Sequence, residues 1–210
     1  VVIDAHLQNS LLNFRSISKF APSLKTNILK FYITGTINGS VSNIRTKNLK
    51  VTSESGLTYL DLDARISGLP YPDVTMAFVD INNSVTTTTD LAYIISSLNS
   101  SKPMKVLTQL SPLVRYNFKG RLAGLLDDFV ANGYLNTNIG QIYVDLLLRN
   151  SDTEKGLDLL GNLRSQNFNV GSLIKSSTIG ELTLNTHFTA LLRDENLGGS
   201  MFLIDSMFIQ

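Results

Sequence analysis

The sequence contains no cysteine. Disulfides, thiolate metal sites and cysteine nucleophiles are therefore excluded, while the redox compartment stays open. Charge is scarce as well: Asp, Glu, Lys and Arg make up 17% of the 210 residues, and the formal net charge is +1. The usual share is about a quarter, and so even a balance leaves no electrostatic footprint for DNA, RNA or an anionic membrane surface. Nucleic acid drops out as a partner. Long apolar runs are missing too. No stretch reaches about 18 uninterrupted apolar residues, which a helix needs to span a bilayer, and no basic-then-apolar segment opens the chain. Val1 stands first, and Met201 to Gln210 still reads as a strand. The expectation is a piece of a longer chain whose targeting signal or anchor lies elsewhere.

What is present favours strands. Apolar residues make up 43%, enough to fold, and Ser, Thr and Asn fill the space that charge leaves. The stretch Phe118 to Arg149 has a second version in the first half of the chain. Setting Gly35 against Gly120 brings Gly39 onto Gly124 and Thr52 onto Thr137. One residue of slippage later, Gly56 meets Gly140, and Tyr59, Asp61, Leu62 and Arg65 meet Tyr143, Asp145, Leu146 and Arg149. Self-similarity at a long period marks units stacked along an axis, each burying its apolar face against its neighbours. Similar strand-to-helix junctions begin near Asn9, Asn83 and Asn167. They divide the chain into approximate repeats 9–82, 83–166 and a partial 167–210.

Along the chain, VVIDAHLQNSLL reads as a strand, and FRSISKFAPSL before Pro22 as a short helix. From Ile28 the period is two. A hairpin is expected around Ser53 to Gly56, and after it Leu60, Leu62, Ala64 and Ile66 face one way while Tyr59, Asp61, Asp63 and Arg65 face the other. GLPYPDV predicts a turn, TMAFVDINNSV a strand, and TTTTD an N-cap run before the helix DLAYIISSL. SSKPMKVLTQLSPL is a loop or short helical turn. VRYNFKGRLAG resumes the alternation, and ELTLNTHFTALL and GGSMFLIDSMFIQ end the chain as strands. The spacing Gly35-x-x-x-Gly39 and Gly120-x-x-x-Gly124 marks bends or close backbone approaches.

Reactive groups find no constellation. Asp61 and Asp63 form a D-x-D on one strand face, which suits a divalent cation or an acid/base pair. The copy keeps Asp145 but places Leu147 at the second position, so a solvated polar face is the better reading. Asp127 and Asp128 sit in a turn, where Asp bonds its own backbone. His6 and His187 are the only histidines, far apart along the chain. No G-x-S-x-G elbow, Walker motif, Rossmann fingerprint or calcium loop is present. Catalytic residues, metal ligands and cofactors are expected to be none.

The strongest feature is an apolar stripe. Leu60, Leu62, Ala64 and Ile66, then Val144, Leu146 and Leu148, then Leu182, Leu184, Phe188 and Ala190 are repeated apolar strand faces. One reading is the closed core of a β-sandwich or β-solenoid. The other is a groove open along its length that shields acyl chains, worth about 0.8 kcal/mol for each methylene removed from water. In the second reading Leu60, Leu62, Ile66, Val144, Leu146, Leu148, Leu182, Leu184 and Phe188 line the groove.

The order F-x-G-x-(L/I)-x-G with a nearby N-(G/L) pair, a G-x-T-Y-x-D-like strand, the turn ISGLPYPD, the helix DLAYIISSL, the run YLNTNIGQIYVDL and then LLGNLRSQNFNVGSLI resembles the repeat region of TamB proteins. These are translocation and assembly module proteins of the AsmA-like superfamily, and the resemblance, to the Bacteroidota type, covers roughly Phe31 to Ile174. It implies an all-β fold with a few short helices: an elongated, curved sheet, a half-pipe or β-taco, with a hydrophobic concave face. It also implies phospholipid acyl chains as ligand and a BamA-like outer-membrane barrel of the TamA type as partner of the parent chain. The implied location is the periplasm of a diderm bacterium, bridging inner and outer membranes, with a part in phospholipid transport or outer-membrane protein assembly and no catalytic residues. The alternative, from another class, is a repeat-built structural or adhesin-like β-solenoid that binds proteins.

Overall fold

In the computed structural model, residues 2–13, 15, 29–98, 114–125, 128–150, 157–178, 180–193 and 196–209 are described. They form one antiparallel sheet of eleven strands in which each strand pairs with its neighbours in sequence. The strands are β1 Val2–Asn13, β2 Lys30–Ser40, β3 Asn43–Ser53, β4 Tyr59–Ser67, β5 Met76–Thr87 and β6 Arg115–Leu125, then β7 Asp128–Thr137, β8 Gly140–Asn150, β9 Leu157–Asn169, β10 Glu181–Arg193 and β11 Asn196–Ile209. Among the described residues strands β1 and β11 are the two edges, and the sheet is not closed into a barrel. At about 4.8 Å per strand it is roughly 50 Å wide, and with right-handed twist a curved half-pipe is compatible with it.

Helix α1 spans Thr88–Leu98 and follows β5; the five-residue α2, Val170–Ile174, follows β9, four strands later. The repeated residues of the sequence fall on strands four apart. Gly35 and Gly39 lie on β2 with Gly120 and Gly124 on β6, and Tyr59 to Arg65 lie on β4 with Tyr143 to Arg149 on β8. The strand at the chain's start, the hairpin turn and the GLPYPDV turn, a 3-10 segment at Pro72–Val74, stand where the pattern puts them. FRSISKFAPSL apart from Arg15, the SSKPMKVLTQLSPL segment and Asp127 lie outside the described residues.

The two closed-core readings are overturned by this topology. Neighbours in sequence that are also neighbours in one open sheet are neither the two facing layers of a sandwich nor the stacked coils of a solenoid. Exposure agrees: the chain presents 12951 Å² of surface, against roughly 9,700 Å² for a compact monomer of this mass.

Burial is concentrated in two clusters beside the helices. Leu29, Phe31 and Ile33 are buried, with Leu7, Leu12, Leu49, Val51 and the α1 residue Ile94 packed on them. Tyr116 and Phe168 form the other, covered by Leu91 of α1 and by Val170 and Leu173 of α2. Both helices therefore sit over the same end of the apolar face, where a short amphipathic helix gains most from burying its apolar side.

Close backbone approaches explain the glycine spacing. Gly35 has φ of 143°, and a Cβ there would lie 3.0 Å from the Asn48 carbonyl oxygen and from the Leu49 Cα. Those atoms belong to a bulge in β3, where the pairing with β4 slips between Thr46 and Leu49. Gly120 stands directly opposite Gly133 with the Phe118 ring beside it, leaving no room for a Cβ.

Candidate functional site

Directly opposed residues in an antiparallel pair project on the same face, so the registers assign every strand residue to a side. One row runs Leu62, Ile81, Gly120, Gly133, Val144, Leu163, Thr186 and Ile204 from β4 to β11. The next runs Ala64, Val79, Leu122, Ala131, Leu146, Gly161 and Phe188. A third joins Ile66, Ala77, Gly124, Phe129, Leu148, Leu159 and Ala190. Leu60, Leu182 and Leu184 share the parity of these rows within β4 and β10. All nine groove residues named from sequence thus lie on one face of one sheet.

That face is apolar well beyond those nine. On β1 to β3 it carries Ile3, Ala5, Leu7, Leu12, Phe31, Ile33, Ile37, Ile44, Leu49 and Val51, by the same registers. Each of the nine is half-buried, neither sealed like Ala190 at 3% exposure nor open like the edge residue Met207 at 52%. Half-burial follows from a single layer whose apolar side chains cover one another laterally while nothing described lies over them outside the helical end.

The opposite face is mixed: it carries most of the strand charges, but also an apolar row of Phe78, Ala123, Val130, Leu147 and Leu160 and a local aromatic group. Arg164 stacks its guanidinium 5.4 Å from the Tyr143 ring centre, and Tyr134 meets Tyr143 edge-on at 5.1 Å. Asp61 stands opposite Lys50 and Asn83, while Asp63 accepts the Asn48 backbone N–H at 2.6 Å. The D-x-D thus supports the β3 bulge on its wet side. His187 Nδ1 lies 2.9 Å from Asp205 Oδ2, and His6 is exposed on β1, nine strands from β10. Among the described residues no group of three or more His, Asp or Glu is placed to hold a metal ion.

A hollow of about 980 Å³ opens on this side, bordered by Arg45, Lys47, Asp63, Arg65, Asp80 and Arg121 and floored in part by Phe78 and Ala123. A twisted sheet is saddle-shaped, so it offers concavity on either side.

Sequence reasoning missed the anchor of α1. Asp90, 5% exposed in the first turn of the helix, accepts Ser53 Oγ at 2.9 Å, Ser55 Oγ at 2.7 Å and the Thr58 hydroxyl. Burial pushes its carboxyl upward, yet the three hydroxyl hydrogen bonds outweigh that and hold it below the ordinary carboxylate value. Asp90 itself is not the cap: the Thr87 hydroxyl accepts the Asp90 N–H at 3.2 Å and caps the helix. The pattern T-T-T-T-D marked a helix start; the partners come from a hairpin more than 30 residues away.

No helix of the described residues is long and apolar enough to cross a membrane. Compared with protein-family models, curated proteins and solved structures, the chain matches none.

Proposed function

We propose that this chain is a lipid-handling segment of a TamB-like envelope protein, and that its apolar sheet face shields phospholipid acyl chains from water. The observation that carries the reading is the common face of Leu60, Leu62, Ile66, Val144, Leu146, Leu148, Leu182, Leu184 and Phe188, continuous across the sheet and only half-buried. A face that is wide, apolar and, among the described residues, not covered by a second layer favours a mobile apolar ligand over a permanent core. An acyl chain laid along it gains about 0.8 kcal/mol per sheltered methylene, with no catalytic group required. In this reading the parent chain works in the periplasm, carrying phospholipid between membranes or assisting protein assembly in the outer membrane beside a BamA-like barrel. The segment is not an enzyme.

The test is photo-crosslinking in living cells from a benzophenone side chain at position 62 or 146. Lipid adducts at both positions are expected; protein adducts alone, or none, defeat the reading. Protein adducts concentrated at β11 instead would favour a structural, protein-binding role, to which its exposed Met201, Leu203, Ile204, Met207 and Phe208 lend some weight.

A further inference from the structure

On the face opposite the apolar rows, four cationic and two anionic side chains border the 980 Å³ hollow. Both anions are engaged: Asp80 Oδ1 takes Arg121 Nε at 2.6 Å, and Asp63 Oδ1 takes the Asn48 N–H. Arg45 and Arg65 stand directly opposite each other on β3 and β4. Lys47 lies two residues along the same strand. Among the described residues, none of these three has a carboxylate within ion-pair distance. Like charges directly opposite in a sheet repel, so an arginine pair here costs stability unless something bridges it.

We propose that this hollow binds a phosphate-type oxyanion, held by Arg45, Arg65 and Lys47. A carboxylate has two oxygens, and one bidentate guanidinium engages both. A phosphoryl group offers three or more, enough to accept from two arginine forks and an ammonium together. The excess of two positive charges around the hollow matches a dianion. The chemistry is shared by free phosphate and by a phosphomonoester headgroup. Because these side chains project away from the apolar face, the site stands or falls independently of acyl-chain binding there.

The experiment measures melting temperature and calorimetric binding for the whole chain with sodium phosphate against sodium chloride at equal ionic strength. Co-sedimentation with phosphatidylcholine vesicles, plain or doped with phosphatidic acid, forms the second arm. Wild type is expected to be stabilised by phosphate, by the doped vesicles or by both, and Arg45→Gln and Arg65→Gln to bind at least about tenfold more weakly. Lys119→Gln, on the same face outside the hollow, should bind as wild type does. A response to phosphate identifies the free ion as a ligand; a response to doped vesicles alone identifies the headgroup. If neither arm responds, or if the two arginine variants match wild type in both, the proposal is overturned. Both variants replace exposed side chains and relieve repulsion, so a melting temperature at or above that of wild type in chloride confirms that they fold.

Discussion

Asp90 shows how one residue ties a helix to a sheet. Its carboxylate collects three hydroxyl bonds from the β3–β4 hairpin, and bonds to a charged acceptor in a buried place are the costly ones to lose. Asp90→Asn is expected to destabilise the protein by about 2 kcal/mol, lowering the melting temperature by about 4–8 °C. The pH dependence has a definite sign. A carboxyl whose folded value lies below its free value of 3.8 contributes its stability above that value and loses it as pH falls through the lower, folded one. Melting curves should therefore show the gap between wild type and Asp90→Asn closing on acidification from about pH 7 to about pH 2. A gap that stays constant would mean that the charge is not what holds the hairpin.

At the scale of elements, bulges are built with asparagine. Asn9, Asn48 and Asn167 adopt left-handed φ of 44°, 51° and 50°, each at a slip in register. In each case the backbone N–H is taken by a side chain on the next strand: Thr34, Asp63 or Thr183. Asn and Gly tolerate that conformation, and β-branched residues do not. Asn167→Val should cost about 1–2 kcal/mol in urea unfolding, with Asn167→Gly closer to wild type. A second element-level expectation concerns the edge. Strand β11 exposes Leu203 by 64% and Met201 by 68%, and an unpaired apolar edge recruits other chains. Leu203→Lys should reduce concentration-dependent association in sedimentation velocity; unchanged association would place the sticky surface elsewhere.

For the whole molecule, neighbouring residues on one strand give a sharp contrast. Leu146 lies on the apolar face between Ala131 and Gly161, and Leu147 projects on the other side between Val130 and Leu160. If the apolar face carries lipid, Leu146→Asp should remove most co-purifying phospholipid in native mass spectra, while Leu147→Asp should retain it. Equal loss from both would point to general unfolding, and equal retention would refute the lipid-bearing face.

Period-two alternation was enough to name many of the strands and to sort the residues of each onto its two sides, because side-chain direction in a strand is a local property of the backbone. The doubled motif likewise pointed to repeated runs of strands, and the pairing sets its copies four strands apart. Local pattern carries no information on which strand lies beside which, so whether the apolar faces would close on each other as a sandwich or lie side by side in one open sheet was decided only by tertiary pairing. The same limit hid Asp90's hydroxyl partners and the meeting of Arg45 with Arg65. Both depend on register between segments, set by bulges and cross-strand packing that no single strand specifies.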